Sequence, residues 1–328
     1  MVIKFTSFNL RLSKVYSKSN LNHEKIKTQI LDNFKSTDFN SIWWKMLSNH
    51  TKGALSITIA GLCFALMGTM IKKLSFSMTN ETIVFSRNFF VLICFIPFLL
   101  RRKNRINLKT DNFRLHLIRG LSGLLAMYLY FFTLSKLPLA EAVMLSYTSP
   151  LFIPFIAFLW IKEPLEKKFI VSALAGLIGI ILILKPGTSI FNFNGIFGII
   201  AAFSASFAMV AIRRMSKTES AFKIVFFYTL IASVISFFPA IFAFTLPSIN
   251  QLILISFMGI AGLGGQFFVT AGYSMAPSAK VGPFTYTTVF FAALIGVFFL
   301  NETFDIYSMI GGTIIVMAGI LSLSGKKE

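Results

Sequence analysis

The chain has 328 residues, 55% hydrophobic and only 13% charged, with a mean hydropathy of +0.76 and a formal net charge of +19. A soluble exterior needs far more charge than this, so lipid is the solvent for most of the chain. The positive charge argues against a nucleic-acid partner by its distribution, because lysines and arginines gather in the N-terminal tail and in certain loops, where membrane proteins place them to set orientation.

Residues 1–52 are polar and rich in Lys, Asn and Ser, without the apolar run of a secretory signal, and read as a basic cytosolic tail. Ile42, Trp43 and Trp44 suit the lipid headgroup layer. Ten apolar segments follow, at 53–71, 82–100, 116–134, 139–161, 168–184, 195–213, 222–244, 252–274, 280–300 and 306–324. Each is close to the length that crosses ~30 Å of hydrocarbon. Without water to satisfy backbone groups, such segments are helices.

Within these spans the polar residues stand out. Arg87 lies about five residues into the second span. It either lines a pathway and attracts a carboxylate, or snorkels outward to Glu81. Ser146, Tyr147, Thr148 and Ser149 form a polar band in the fourth span, and Pro150 after them predicts a kink. Thr285, Tyr286, Thr287 and Thr288 form the matching band in the ninth. Such bands line a pathway or bond neighbouring helices. Gln266, in the eighth span, needs partners that a substrate or another helix supplies. Glu163 and Glu302 close the fourth and ninth spans, where carboxylates bond loop or helix-end amides. Glu141 and Lys280 sit at helix starts, as solvated surface or as a gate pair.

Residues 120–165 and 259–304 are one helical hairpin written twice, 139 positions apart without a gap. Gly120 falls on Gly259, Gly123 on Gly262, Ser135 on Ser274, Pro138 on Pro277, Tyr147 on Tyr286 and Glu163 on Glu302. Cys63-Phe64-Ala65-Leu66 likewise resembles Ser206-Phe207-Ala208-Met209. Spans one to five therefore match spans six to ten, and an odd count per half inverts the second half across the membrane. The expected fold is an all-α membrane protein: ten transmembrane helices as two inverted five-helix repeats, 53–184 and 195–324, behind the 1–52 tail. Arg101, Arg102, Lys103, Arg105, Lys109 and Arg114, with Arg119 close behind, fall on the same side as Arg213, Arg214, Lys217 and Lys223. The opposite side holds only Lys72, Lys73, Lys136 and Lys185, so both termini are expected in the cytoplasm. The repeats differ at Gln266 against Met127, Lys280 against Glu141 and Arg87 against Leu230, where an asymmetric substrate would be recognised.

The segment LAEAVMLSYTSPLFIPFIAFLWIKEPL, residues 139–165, and its partner ending FFLNETF resemble the drug/metabolite transporter superfamily, EamA type. The resemblance spans about 53–324. It implies a bacterial inner-membrane carrier that moves metabolites, amino acids or drugs without ATP. The chain also resembles members that import S-adenosylmethionine into intracellular bacteria.

The two cysteines, Cys63 and Cys94, and the histidines His23, His50 and His116 have no metal-ligand spacing, so no metal or other cofactor is expected. None of the 12 acids lies at the centre of a span, which argues against an intramembrane aspartyl protease and a proton pump. No phosphate loop is present, and no ATPase subunit is implied. The sequence thus reads as a secondary carrier, not an enzyme, working by alternating access on a small metabolite. Arg87, Tyr147, Gln266 and Tyr286, with Ser146 and Thr285, are the expected pathway residues. An amino acid or S-adenosylmethionine offers both a carboxylate and an apolar or flat part. A drug or metabolite effluxer is the alternative within the class, and a channel or lipid scramblase the alternative outside it.

Overall fold

The computed structural model describes residues 47–100, 108–136, 145–184, 193–243, 245–300 and 306–323. The tail reading up to residue 46, Glu141 and Glu302 fall outside them, while residues 49–52, read as tail from the sequence, open the first helix. The first repeat holds α1 (Asn49–Leu74), α2 (Asn80–Leu100), α3 (Phe113–Lys136), α4 (Ser149–Ile156) with a π-helical turn over Ala157–Ile161, and α5 (Lys167–Leu184). The second holds α6 (Gly195–Met215), α7 (Ala221–Ala243), α8 (Ile249–Met275), the four-residue α9 (Ser278–Val281), a 3-10 turn over Gly282–Tyr286, α10 (Thr287–Leu300) and α11 (Ile306–Leu323). No strand occurs among the described residues. Among those residues, six helices (α1, α2, α3, α6, α7 and α8) are long and apolar enough to cross a membrane.

In the described parts of the fourth and ninth spans the helix changes type: Leu145 and Ser146 are helical, Tyr147 and Thr148 form a turn and α4 follows, while α9, the 3-10 turn and α10 succeed one another without a gap. Thr148 stands at the N-cap of α4, and Pro150 lies in that helix's first turn. Its missing N–H removes a donor for the helical Ser146 carbonyl, and the α-helical ladder is interrupted at the Tyr147–Thr148 turn, next to where the sequence predicts a kink. Pro283 likewise stands at the start of the 3-10 turn. The two polar bands therefore sit where the helix changes type.

Helices pack mainly across the repeats. α1 lies on α8, and its repeat-mate α6 lies on α3. α2 lies on α7, and α5 on α11. Exchanging the repeats maps this pairing onto itself. Gly53 and Gly272 face each other's carbonyl oxygens on α1 and α8, and a Cβ at either would come within 3.0 Å of one. Equivalent helices run antiparallel. The Thr82 hydroxyl near the start of α2 donates to the Ala243 carbonyl at the end of α7, while Phe95 late in α2 packs on Phe222 early in α7. The Ser172 hydroxyl early in α5 donates to the Ala318 carbonyl late in α11.

Two polar hubs tie ends of one face. Glu163 follows Lys162, whose φ of 58° is left-handed. That turn aims the carboxylate across the repeat boundary. Its Oε1 accepts from Arg213 Nε at 2.8 Å, and its Oε2 accepts from the Ser278 backbone N–H, at the start of α9, at 2.8 Å. Arg213 also donates to the Ser274 carbonyl. Glu219, between α6 and α7, accepts from Thr110 and pairs with Lys223 at 3.1 Å. Burial alone would raise its carboxyl pKa. The Thr110 hydroxyl, Lys223 and the neighbouring His116 reverse this and hold it below the ordinary glutamate value.

Candidate functional site

The turns of changed helix type in the fourth and ninth spans and the cross-repeat pairs border a central cavity of about 220 Å³. Residues from α1, α2, α3, α6, α7 and α8 line it, together with the turns before α4 and α10. Most of the wall is apolar, with Phe64, Met67, Met127 and Val269 among its members. Its polar members include Arg87, Arg119, Ser146, Tyr147, Gln266 and Thr285.

Arg87 and Arg119 both reach this cavity, and each is 2% exposed. Arg119 Nη2 donates to Gln266 Oε1 at 2.8 Å, and its guanidinium lies over the Tyr228 ring, 4.1 Å from the centroid. Arg87 lies 5.9 Å from the same centroid. It donates through Nη1 to Asn88 Oδ1 at 2.7 Å and through Nη2 to the Gly262 carbonyl at 3.4 Å. It does not snorkel to Glu81: its side chain turns inward. Each arginine lies against a glycine. A Cβ at Gly123 would sit 2.3 Å from Arg119 Nη1, and one at Gly262 would sit 2.9 Å from Arg87 Nε. These two glycines are repeat-mates, so the duplicated glycine position serves a different arginine in each half.

Of the expected pathway residues, Arg87, Ser146, Tyr147, Gln266 and Thr285 line the cavity. The Ser146 hydroxyl is buried and makes no hydrogen bond among the described residues. Tyr147 interacts with Thr288 of the opposite band. The Thr285 hydroxyl donates to the Gly282 carbonyl at 2.7 Å, which fastens the 3-10 turn. Tyr286 points elsewhere. It is fully buried against Ile180, Val289 and Ile315, and its hydroxyl donates to the Ala173 carbonyl at 3.0 Å. Its ring covers Gly176, where a Cβ would approach to 2.2 Å. Tyr286 thus seats α10 on α5, and the expectation of a pathway role is corrected. Lys280 is not solvated surface either: it is 7% exposed, with Nζ 3.2 Å from His50 Nδ1.

Sequence reasoning missed Arg119 and Tyr228. Arg119 follows closely on the basic loop before α3, which hides it among surface charges, yet it stands six residues inside the helix that begins at Phe113. At 1.5 Å per residue that is ~9 Å deep. The apolar span read from the sequence starts only at 116, which hides that depth, and the direction of the side chain is not in the sequence at all.

The chain matches the model of the EamA-like transporter family twice, over residues 51–185 and 193–325. It belongs to that family. It is a multi-pass membrane transporter of small molecules. This EamA-like transporter is 28% identical to the pseudopaline exporter of Pseudomonas aeruginosa, over 84% of its own length and 97% of the exporter's. It is 25% identical to the S-adenosylmethionine uptake transporter of Rickettsia bellii, over 79% of its length and 89% of that protein's. A solved structure with 21% identity superposes with a TM-score of 0.68, covering 83% of this chain and 96% of the other, which shows a shared fold.

Proposed function

We propose that this EamA-like transporter is a secondary carrier that works by alternating access across a bacterial inner membrane, with both termini in the cytoplasm. Its substrate is a small carboxylate-bearing metabolite, with an amino acid and S-adenosylmethionine as first candidates. The observation that carries this reading is the cavity between the repeats, where Arg87, Arg119 and Gln266 converge among apolar walls. Carriers built from inverted repeats bind substrate between the repeats, at irregular stretches of their helices, and here Ser146, Tyr147, Thr285 and Thr288, at the changes of helix type in the fourth and ninth spans, line the cavity.

The proposed topology is ten spans in two inverted repeats, 53–184 and 195–324. The antiparallel pairing of α2 with α7 and of α5 with α11 supports it. So does the gathering of Arg213, Lys223 and the Glu163 and Glu219 hubs on one face, the cytoplasmic one by charge. The cavity runs toward Ile71 and Ile83, near the opposite ends of α1 and α2. In this reading the molecule faces outward, with the Glu163 hub closing the cytoplasmic side. Likeness to an exporter makes efflux a second reading.

Purified protein in proteoliposomes tests the proposal. A carrier gives saturable uptake that is accelerated by unlabelled substrate on the far side. Conductance or lipid flip without saturation would overturn it in favour of a channel or scramblase. An imposed gradient in either direction then separates uptake from efflux.

A further inference from the structure

The cavity's charge balance is lopsided. Arg87 and Arg119 are both buried, and no Asp or Glu stands among its described lining residues. Acids that do form ion pairs lie at the helix ends: Glu163 is engaged by Arg213, Glu166 by Lys168 and Glu219 by Lys223. A guanidinium withdrawn from water without a counter-charge costs several kcal/mol, and two of them near one ring also repel each other. The Tyr228 face and the Gln266 oxygen offset part of this cost, being a quadrupole and a dipole, but neither carries a negative charge.

The unused donors point the same way. Arg87 Nε, Arg119 Nε and Arg119 Nη1 are buried and make no hydrogen bond among the described residues. Buried polar atoms are normally paired. Of these three nitrogens, Arg119 Nη1 and Arg87 Nε lie against Gly123 and Gly262, and the described lining supplies no charged acceptor for either cation.

We infer that the transported species is a net anion with two carboxylate groups and an apolar body, one carboxylate for each of Arg87 and Arg119. This rests on the carrier reading above and replaces its first substrate candidates, a zwitterionic amino acid and cationic S-adenosylmethionine, with a dianion. Two carboxylates supply the two missing charges and the acceptors for the three nitrogens, and charge-assisted bonds of this kind are the strong ones. The apolar walls take the rest of the molecule. S-adenosylmethionine fits poorly: its sulfonium and ammonium would enter a cavity that already holds two cations and offers no acid.

The test uses the full chain, in detergent for ligand-induced thermal stabilisation and in proteoliposomes for counterflow. The probes are phenylsuccinate (a dicarboxylate), phenylalanine (a zwitterion) and S-adenosylmethionine (a cation). Phenylsuccinate is expected to bind at least tenfold more tightly than either of the others. Arg87→Gln and Arg119→Gln should each weaken it about tenfold or more, and Arg119→Lys, which keeps the charge if the Gln variant fails to fold, should weaken it less. Absence of phenylsuccinate binding, equal or tighter binding of S-adenosylmethionine, or indifference to both arginine variants overturns the inference. Phenylsuccinate binding without counterflow leaves the anion site standing and sinks the carrier reading. Counterflow of phenylalanine or S-adenosylmethionine alone, unchanged in the variants, does the reverse.

Discussion

Gln266 acts through a single side-chain atom. Its Oε1 fixes one Arg119 nitrogen and so aims the remaining two. The repeat-mate of Gln266 is Met127, a residue of similar length that cannot accept strongly. Gln266→Met should keep the fold but free the guanidinium, raising the KM of counterflow about tenfold with a smaller change in the maximal rate. An unchanged KM would show that Gln266 does not position Arg119. Tyr286 gives the contrasting case. Tyr286→Phe keeps the ring over Gly176 and loses only the bond to Ala173, so it should cost about 1 kcal/mol of stability and leave KM unchanged. Gly176→Ala forces a methyl group into that ring and should cost about 1–3 kcal/mol, read as a lower melting temperature. Sequence could single out Gln266 and Tyr286, because polar residues in apolar spans are rare. It could not tell Tyr147 from Tyr286, since the repeat gives them the same address while the contacts differ.

Individual elements are held by their end groups. The Glu163 carboxylate joins the end of the first repeat's π turn to α6 and α9, and hydrogen bonds to a charged group contribute about 1.5–3 kcal/mol each. In the outward-facing reading, Glu163→Gln weakens the closed cytoplasmic side. A single cysteine replacing Ser278, in a background without Cys63 and Cys94, should then react faster with a cytoplasmic thiol reagent than it does with Glu163 intact. Glu219 supplies the pH dependence. Its folded-state pKa is lowered, so its stabilisation is present above the ordinary value of 4.5 and is lost as pH falls through the folded value. The melting-temperature gap between the native chain and Glu219→Gln should therefore stay constant from neutrality down to about pH 4.5 and shrink as the pH falls further. Sequence located these end groups, because acids in this chain avoid span centres. Beyond the kink at Pro150 it did not show where the fourth and ninth spans change helix type, because hydropathy does not register backbone geometry.

At the scale of the whole molecule, the antiparallel pairing of equivalent helices and the one-sided basic loops set a topology that labelling can test. Ser75→Cys, in the turn after α1, should react with an impermeant thiol reagent on intact cells, and Lys217→Cys, after α6, only once the membrane is opened. The opposite pattern would invert the orientation. The amino-acid sequence by itself determined the solvent, the helical class, the duplication and the family, because these rest on composition, on hydrogen-bond satisfaction in lipid and on a repeat that survives residue by residue. Only the tertiary structure decided that Arg119 belongs with Arg87, that Tyr228 lies beneath both, and that Tyr286 does not join them. Those facts depend on the direction in which a side chain leaves its helix and on which helix of the other repeat it meets. Neither is encoded in the spacing along the sequence, because partners such as Arg119 and Gln266 are over a hundred residues apart and come together only when the two repeats pack.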